Sequence, residues 1–192
     1  MFRVAILLGL VAIVSGCATN GFNLVEVAGS PRYEVPVTDA RSELSRKGGK
    51  EQVLDSHYYH GDAIFTPSRL EMFKAAVSEV FDKPPRQVIL RKFDVVDSYA
   101  KRLRGGQAAA LASISYAAAI AAQSSPIDSD FIACVIEATV DGRDISSTAL
   151  APYAENTFGI NVFNDPSYIA AVKKAVSDSI QQWKSHATQR SR

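Results

Sequence analysis

The sequence predicts an α+β domain, with an antiparallel or mixed sheet covered by helices on one face. Three patterns carry that expectation. Asp141-Gly142 separates two runs of alternating apolar residues, the strongest short signal for a hairpin. Asp165-Pro166 opens an apolar stripe at helical spacing, and Thr66-Pro67 opens a second one.

Residues 22–27 and 33–37 are short strand-like runs broken by Gly and Pro. Residues 38–52 carry Arg41, Arg46, Lys47, Gly48, Gly49 and Lys50, diluted by Asp39, Glu43 and Glu51. That composition predicts a solvated spacer. A helix is expected next, with Thr66 as its N-cap and Pro67 in its first turn. Leu70, Phe73, Val77, Val80 and Phe81 form its apolar face, and Lys83-Pro84-Pro85 ends it. Residues 86–96, rich in Val, Ile, Leu and Phe, predict a strand.

In the hairpin, a two-residue turn pairs Val140 with Arg143. Cys134, Ile136 and Ala138 then share a face with Ala149, Ser147 and Ile145, while Glu137 and Thr139 turn outward with Ser146 and Asp144. The last helix is expected to run from Asp165-Pro166 to about Lys184, with Ile169, Val172, Val176, Ile180 and Trp183 buried against the sheet. Residues 186–192 are polar and expected to fray.

The first residues carry a different message. Arg3 precedes an apolar run over residues 4–14, followed by Ser15, Gly16 and Cys17, the charged, apolar and small-residue order of a secretory signal. The run falls well short of the roughly 20 residues that a spanning helix needs. Val14-Ser15-Gly16-Cys17 resembles the lipobox of bacterial lipoproteins. That resemblance implies cleavage between Gly16 and Cys17, a diacylglyceryl group on the Cys17 thiol and, with Ala18 rather than aspartate following, sorting to the outer membrane with the domain facing the periplasm. The expected organisation is a leader over 1–16, anchor, tether and N-terminal strands over 17–62, the α+β domain over 63–185 and a tail over 186–192. In element order the chain also resembles small α/β outer-membrane lipoproteins that act as accessory subunits of lipid-transport or export systems.

Lys and Arg number 21 against 20 Asp and Glu, so no overall field favours nucleic acid as a partner. With Cys17 assigned to lipid, Cys134 has no cysteine to pair with, and its strand position predicts a buried, protonated thiol. His57-Tyr58-Tyr59-His60, with Asp55 and Asp62 nearby, would gather a metal site only on a helix. In an extended segment the imidazoles point to opposite faces, so no metal or cofactor is expected. Asp128-Ser129-Asp130 reads as a turn before a strand. No glycine-flanked serine elbow or phosphate loop occurs, and no catalytic group is assigned.

Residues 105–127 carry no charge and are dominated by alanine. Ala108 with Ala112, Ser113 with Ala117 and Ala117 with Ala121 repeat a spacing that admits a close neighbour. A helix buried on its own sheet, a subunit interface and a membrane-inserting segment all fit that pattern. The expected function is a non-catalytic accessory or assembly role, through a protein partner or a homo-oligomer, on a membrane held by the lipid of Cys17. The alternatives are a lipid- or glycan-binding module using Tyr58, Tyr59, Tyr153 and Phe158 at a cleft, and a hydrolase.

Overall fold

The computed structural model describes residues 21–50, 57–98, 130–153 and 162–189. Gly16, Cys17 and the small-residue positions Ala108, Ala112, Ser113, Ala117 and Ala121 lie outside them.

The sheet is built around a long hairpin, β7 (Phe131–Val140) and β8 (Arg143–Pro152), with β6 (Val88–Ser98) antiparallel to β7. The shorter strands that precede these in the chain are β1 (Phe22–Asn23), β2 (Thr38–Asp39), β3 (Gly49–Lys50), β4 (His57–Tyr59) and β5 (Phe65–Thr66). The hairpin register matches the sequence expectation pair for pair: Cys134 opposes Ala149, Ile136 opposes Ser147 and Ala138 opposes Ile145. Asp141 and Gly142 both adopt positive φ, 48° and 78°, the turn geometry whose twist suits a two-residue connection. The fold class is likewise as expected, an α+β domain whose mixed sheet includes one parallel pair, β2 with β6.

β6 would expose the wrong face without a register shift between Leu90 and Lys92. The extra residue turns Phe93, Val95 and Asp97 to the side already occupied by Val88 and Leu90, and turns Lys92 away to meet Glu137 at 3.1 Å. β7 departs from a simple in-and-out strand. Ile132, Cys134, Ile136 and Ala138 belong to the main core, while Phe131, Ala133 and Val135 form a second cluster on the opposite face with Tyr59 and Val96. Leu44, from the single-turn α2 (Glu43–Lys47), packs against that second cluster.

The main face is covered by α3 (Arg69–Val80) and α4 (Pro166–Gln189); the remaining helix, α1 (Val25–Ala28), is a single turn lying against α3. α4 begins as the sequence predicts. The Asp165 carboxylate accepts from the Ser167 and Tyr168 amides at 2.7 and 3.1 Å, with Pro166 first in the helix. It does not fray at Lys184. The helix continues to Gln189, Ala187 is buried, and His186 Nδ1 donates to the Ser146 carbonyl at 2.8 Å, which anchors residues 186–189 of the stretch expected to be a loose tail.

α3 starts two residues later than expected. Its cap is Ser68, whose hydroxyl accepts from the Glu71 amide at 3.3 Å, while Thr66 belongs to β5 and a cis bond joins it to Pro67. The Thr66 carbonyl is needed elsewhere, accepting from the Leu24 amide at 2.7 Å where β1 runs parallel to β5. The spacer reading is also overturned over residues 38–50; residues 51 and 52 lie outside the described residues. Thr38 and Asp39 pair with Ile89 and Leu90, α2 follows, and Arg41 is buried between two carboxylates. Residues 22–27 form β1 and then the turn of helix α1 rather than one strand, and no strand forms at 33–37. Phe22, Leu24, Ala28 and Val35 lie in the same core as α3 and α4.

Candidate functional site

Two buried polar clusters occupy the edge of β6 that faces away from β7. That edge is shared: β2 pairs with Ile89 and Leu90, and β4 pairs with Val96, Asp97 and Ser98. Neither strand reaches Phe93, and the side chain of Arg69 fills the gap. Its Nη1 donates to the Phe93 carbonyl at 2.5 Å, its Nη2 to the Ser45 carbonyl, and its Nε to Asp62 at 2.7 Å. The guanidinium also lies 5.2 Å from the centre of the Phe65 ring. A planar fork with several donors can satisfy backbone acceptors where no strand supplies amides.

Asp62 is shared with Arg41, which meets its two oxygens at 3.1 and 2.8 Å and those of Asp39 at 2.9 and 2.8 Å. The hydrogen bonds from Arg41 hold the Asp39 carboxyl below its ordinary range. Burial lowers the Arg69 guanidinium, with the Asp62 charge opposing it. Asp94, on the opposite face of β6, is raised by burial, against which Ser45 and the Arg69 charge pull.

The second cluster lies where β6 ends. Asp97 Oδ1 accepts from the Tyr153 hydroxyl at 2.6 Å and Oδ2 from the Tyr168 hydroxyl at 2.9 Å, so one carboxylate joins β6, the end of β8 and the first turn of α4. His60 Nε2 lies 2.7 Å from the Tyr168 oxygen. Because the Tyr168 proton is committed to Asp97, Nε2 must be the donor, which leaves Nδ1 as the unprotonated nitrogen. Nδ1 is buried with no partner among the described residues. Phe22, Phe65 and Tyr58 surround the ring, with centroids 5.6, 6.4 and 5.4 Å away.

Burial, reinforced by the Arg69 charge, holds the His60 imidazole down to about 3 from its ordinary 6.5. The folded value is the lower one, so below pH 6.5 the unfolded chain takes up a proton that the fold refuses. This group therefore leaves stability untouched above pH 6.5, removes about 1.4 kcal/mol per pH unit below it, and levels off near pH 3. Urea unfolding at pH 6.5 and pH 5 is expected to show the wild type losing roughly 2 kcal/mol more than His60→Phe. Equal losses in the two proteins would mean that His60 takes up its proton in the fold.

The histidine pair considered as a metal site is not on a helix. His57 lies in β4 and His60 just beyond it, an extended segment, and Asp62 is engaged by Arg41 and Arg69; Asp55 lies outside the described residues. Among the described residues no group of three or more His, Cys, Asp or Glu side chains is placed to hold a metal ion. Cys134 sits in the main core as expected, its thiol pushed up to about 12 by burial. Asp130 is buried, and its carbonyl accepts from the Tyr153 amide at 3.0 Å. The tyrosines proposed for a single cleft divide between faces: Tyr59 belongs to the apolar cluster on the opposite face of the sheet, with Val96 and Phe131, whereas Tyr153 belongs to the main core and Tyr58 is exposed. Phe158 lies outside the described residues. No helix among the described residues is long and apolar enough to cross a membrane.

Sequence reasoning missed Arg41, Arg69, Asp97 and Tyr168. Asp97 carried no usable signal: it lies one residue past the predicted strand of residues 86–96, and the register shift between Leu90 and Lys92 reverses the side that simple alternation from Val88 and Leu90 gives it. No protein-family model, curated protein or solved structure matches the chain.

Proposed function

We propose that the chain is an envelope lipoprotein, anchored through Cys17 in the outer membrane and facing the periplasm, with a non-catalytic accessory or assembly role. The observation that carries this reading is Val14-Ser15-Gly16-Cys17 at the end of an Arg3-led apolar segment, a few residues before the packed core begins at Phe22. Several acyl chains, each buried methylene contributing about 0.8 kcal/mol, make such an anchor effectively permanent. The titratable groups of the domain support the non-catalytic part. Arg69 closes a strand edge, Asp97 ties two tyrosines, burial keeps His60 neutral and Cys134 protonated. A permanently anchored domain of this kind acts through what it binds, a protein partner or a second copy.

Cys17→Ala is expected to abolish both lipid attachment and cleavage after Gly16, leaving full-length precursor. Intact-mass spectrometry of the wild type should show an acylated chain beginning at Cys17. A mature N-terminus elsewhere, or one without lipid, refutes the anchor. Chemical crosslinking of the lipidated protein in its own membranes tests the role: a defined envelope partner or a homo-oligomer supports it, and recovery as monomer alone refutes it.

A further inference from the structure

Among the described residues, the large apolar side chains that stand exposed are Val25, at 59%, and Tyr58, at 40%. Both lie beside the root of the tether. Val25 is three residues beyond Phe22, and a single imidazole, that of His60, separates the rings of Phe22 and Tyr58. Tyr58 also opposes Lys50 across the β3–β4 pair. An aromatic ring with a hydroxyl, next to a long basic side chain, suits the headgroup region of a bilayer, where one end is apolar and the other wet.

Chain length limits the orientation. Four residues lie between Cys17 and Phe22, five Cα-to-Cα steps, so the tether reaches at most about 18 Å. Tyr58 lies in the row of the sheet formed with Asp97, Ile132 and Ala151, whereas the Asp141-Gly142 turn follows Val140 at the opposite end of β7. Ile132 to Val140 spans roughly 26 Å of strand. A tether rooted at the Tyr58 end is too short to let the hairpin tip face the bilayer with the domain inverted.

Resting on the reading that Cys17 is lipidated, we infer that the domain docks on the bilayer that holds its lipid, with Tyr58 and Val25 seated among the headgroups. The hairpin tip then points away from the membrane.

The test places one fluorescent label at a time on the full, lipidated chain in vesicles of phosphatidylethanolamine and phosphatidylglycerol. Tyr58→Cys and Val25→Cys report on the inferred contact. Arg86→Cys, exposed and two residues before Val88 at the hairpin end, is the control. Labelling is selective, because Cys17 carries the lipid and the Cys134 thiol is buried. A polarity-sensitive dye at 58 and 25 should shift to the blue and be quenched by headgroup nitroxides, while the dye at 86 does neither. If 58 and 25 behave like 86 in a chain whose mass shows the lipid, the docking inference fails and the anchor stands. Shielding of 58 and 25 in native membranes but not in pure lipid also overturns it, in favour of a protein partner. An absent lipid removes the anchor and the inference together.

Discussion

Trp183→Ala should lower the stability of the domain by about 3 to 5 kcal/mol, the usual cost of truncating a large aromatic in a core. The side chain is fully buried and stands edge-on to Phe73 at 5.0 Å, so it fills the seam between α4 and α3. Nearby, Lys184 reaches Glu79 at 2.8 Å across the same seam. Trp183 Nε1 has no partner among the described residues, so the loss is one of packing and not of a hydrogen bond. At about 2 to 4 °C per kcal/mol for a domain of this size, the melting temperature should drop by roughly 10 °C. Trp183→Phe keeps part of the volume and should cost clearly less. A melting temperature unchanged by the alanine variant would mean that α4 does not pack on α3 as described.

Arg69→Met should be comparably damaging, about 3 to 5 kcal/mol, although it keeps an unbranched apolar stem. The Phe93 and Ser45 carbonyls would lose their guanidinium donor in a buried place, each at about 1 to 3 kcal/mol, and Asp62 would keep only Arg41. Arg69→Lys retains the charge, but a single ammonium cannot span two carbonyls and a carboxylate in one plane, so partial rescue is expected. Lys47→Ala serves as contrast. Its pair with Glu43 is 75% exposed on the lysine side, and exposed pairs are worth at most about 1 kcal/mol. Urea midpoints of the three variants check the order, and Arg69→Met unfolding at the Lys47→Ala midpoint would show that the guanidinium does not close the strand edge.

The parts of the fold legible in the sequence are those fixed by neighbours along the chain. Asp141-Gly142 sets the hairpin register, and Asp165-Pro166 starts α4, because turn and cap use backbone groups only a few residues away. Thr66-Pro67 misled for the converse reason. Its carbonyl is claimed by Leu24, more than forty positions earlier, and Ser68 with Glu71 supplies the real cap. The stretch 38–52 has the composition of a spacer until Arg41 finds Asp62, and no local pattern announces an ion pair across 21 positions. The Asp97 to Tyr168 contact spans 71 positions. Alternation along β6 would turn Asp97 outward, and only the register shift between Leu90 and Lys92 brings it to the inward side where it needs donors. His186 read as tail because its acceptor, the Ser146 carbonyl, belongs to another element.

The patchwork edge of β6 also sets an order of assembly. The hairpin and the helix that packs on it lie close together in sequence and can form early, since local contacts close cheaply and quickly. β2, Arg69 and β4 instead need β6 as a template, and β6 is itself completed by β7, whose first residue is 131. A chain that emerges N-terminus first from a ribosome therefore presents β1 to β6 before β7, the strand that completes β6, exists. The main core combines residues of β6, the hairpin and α4, so it can close only once α4 has arrived.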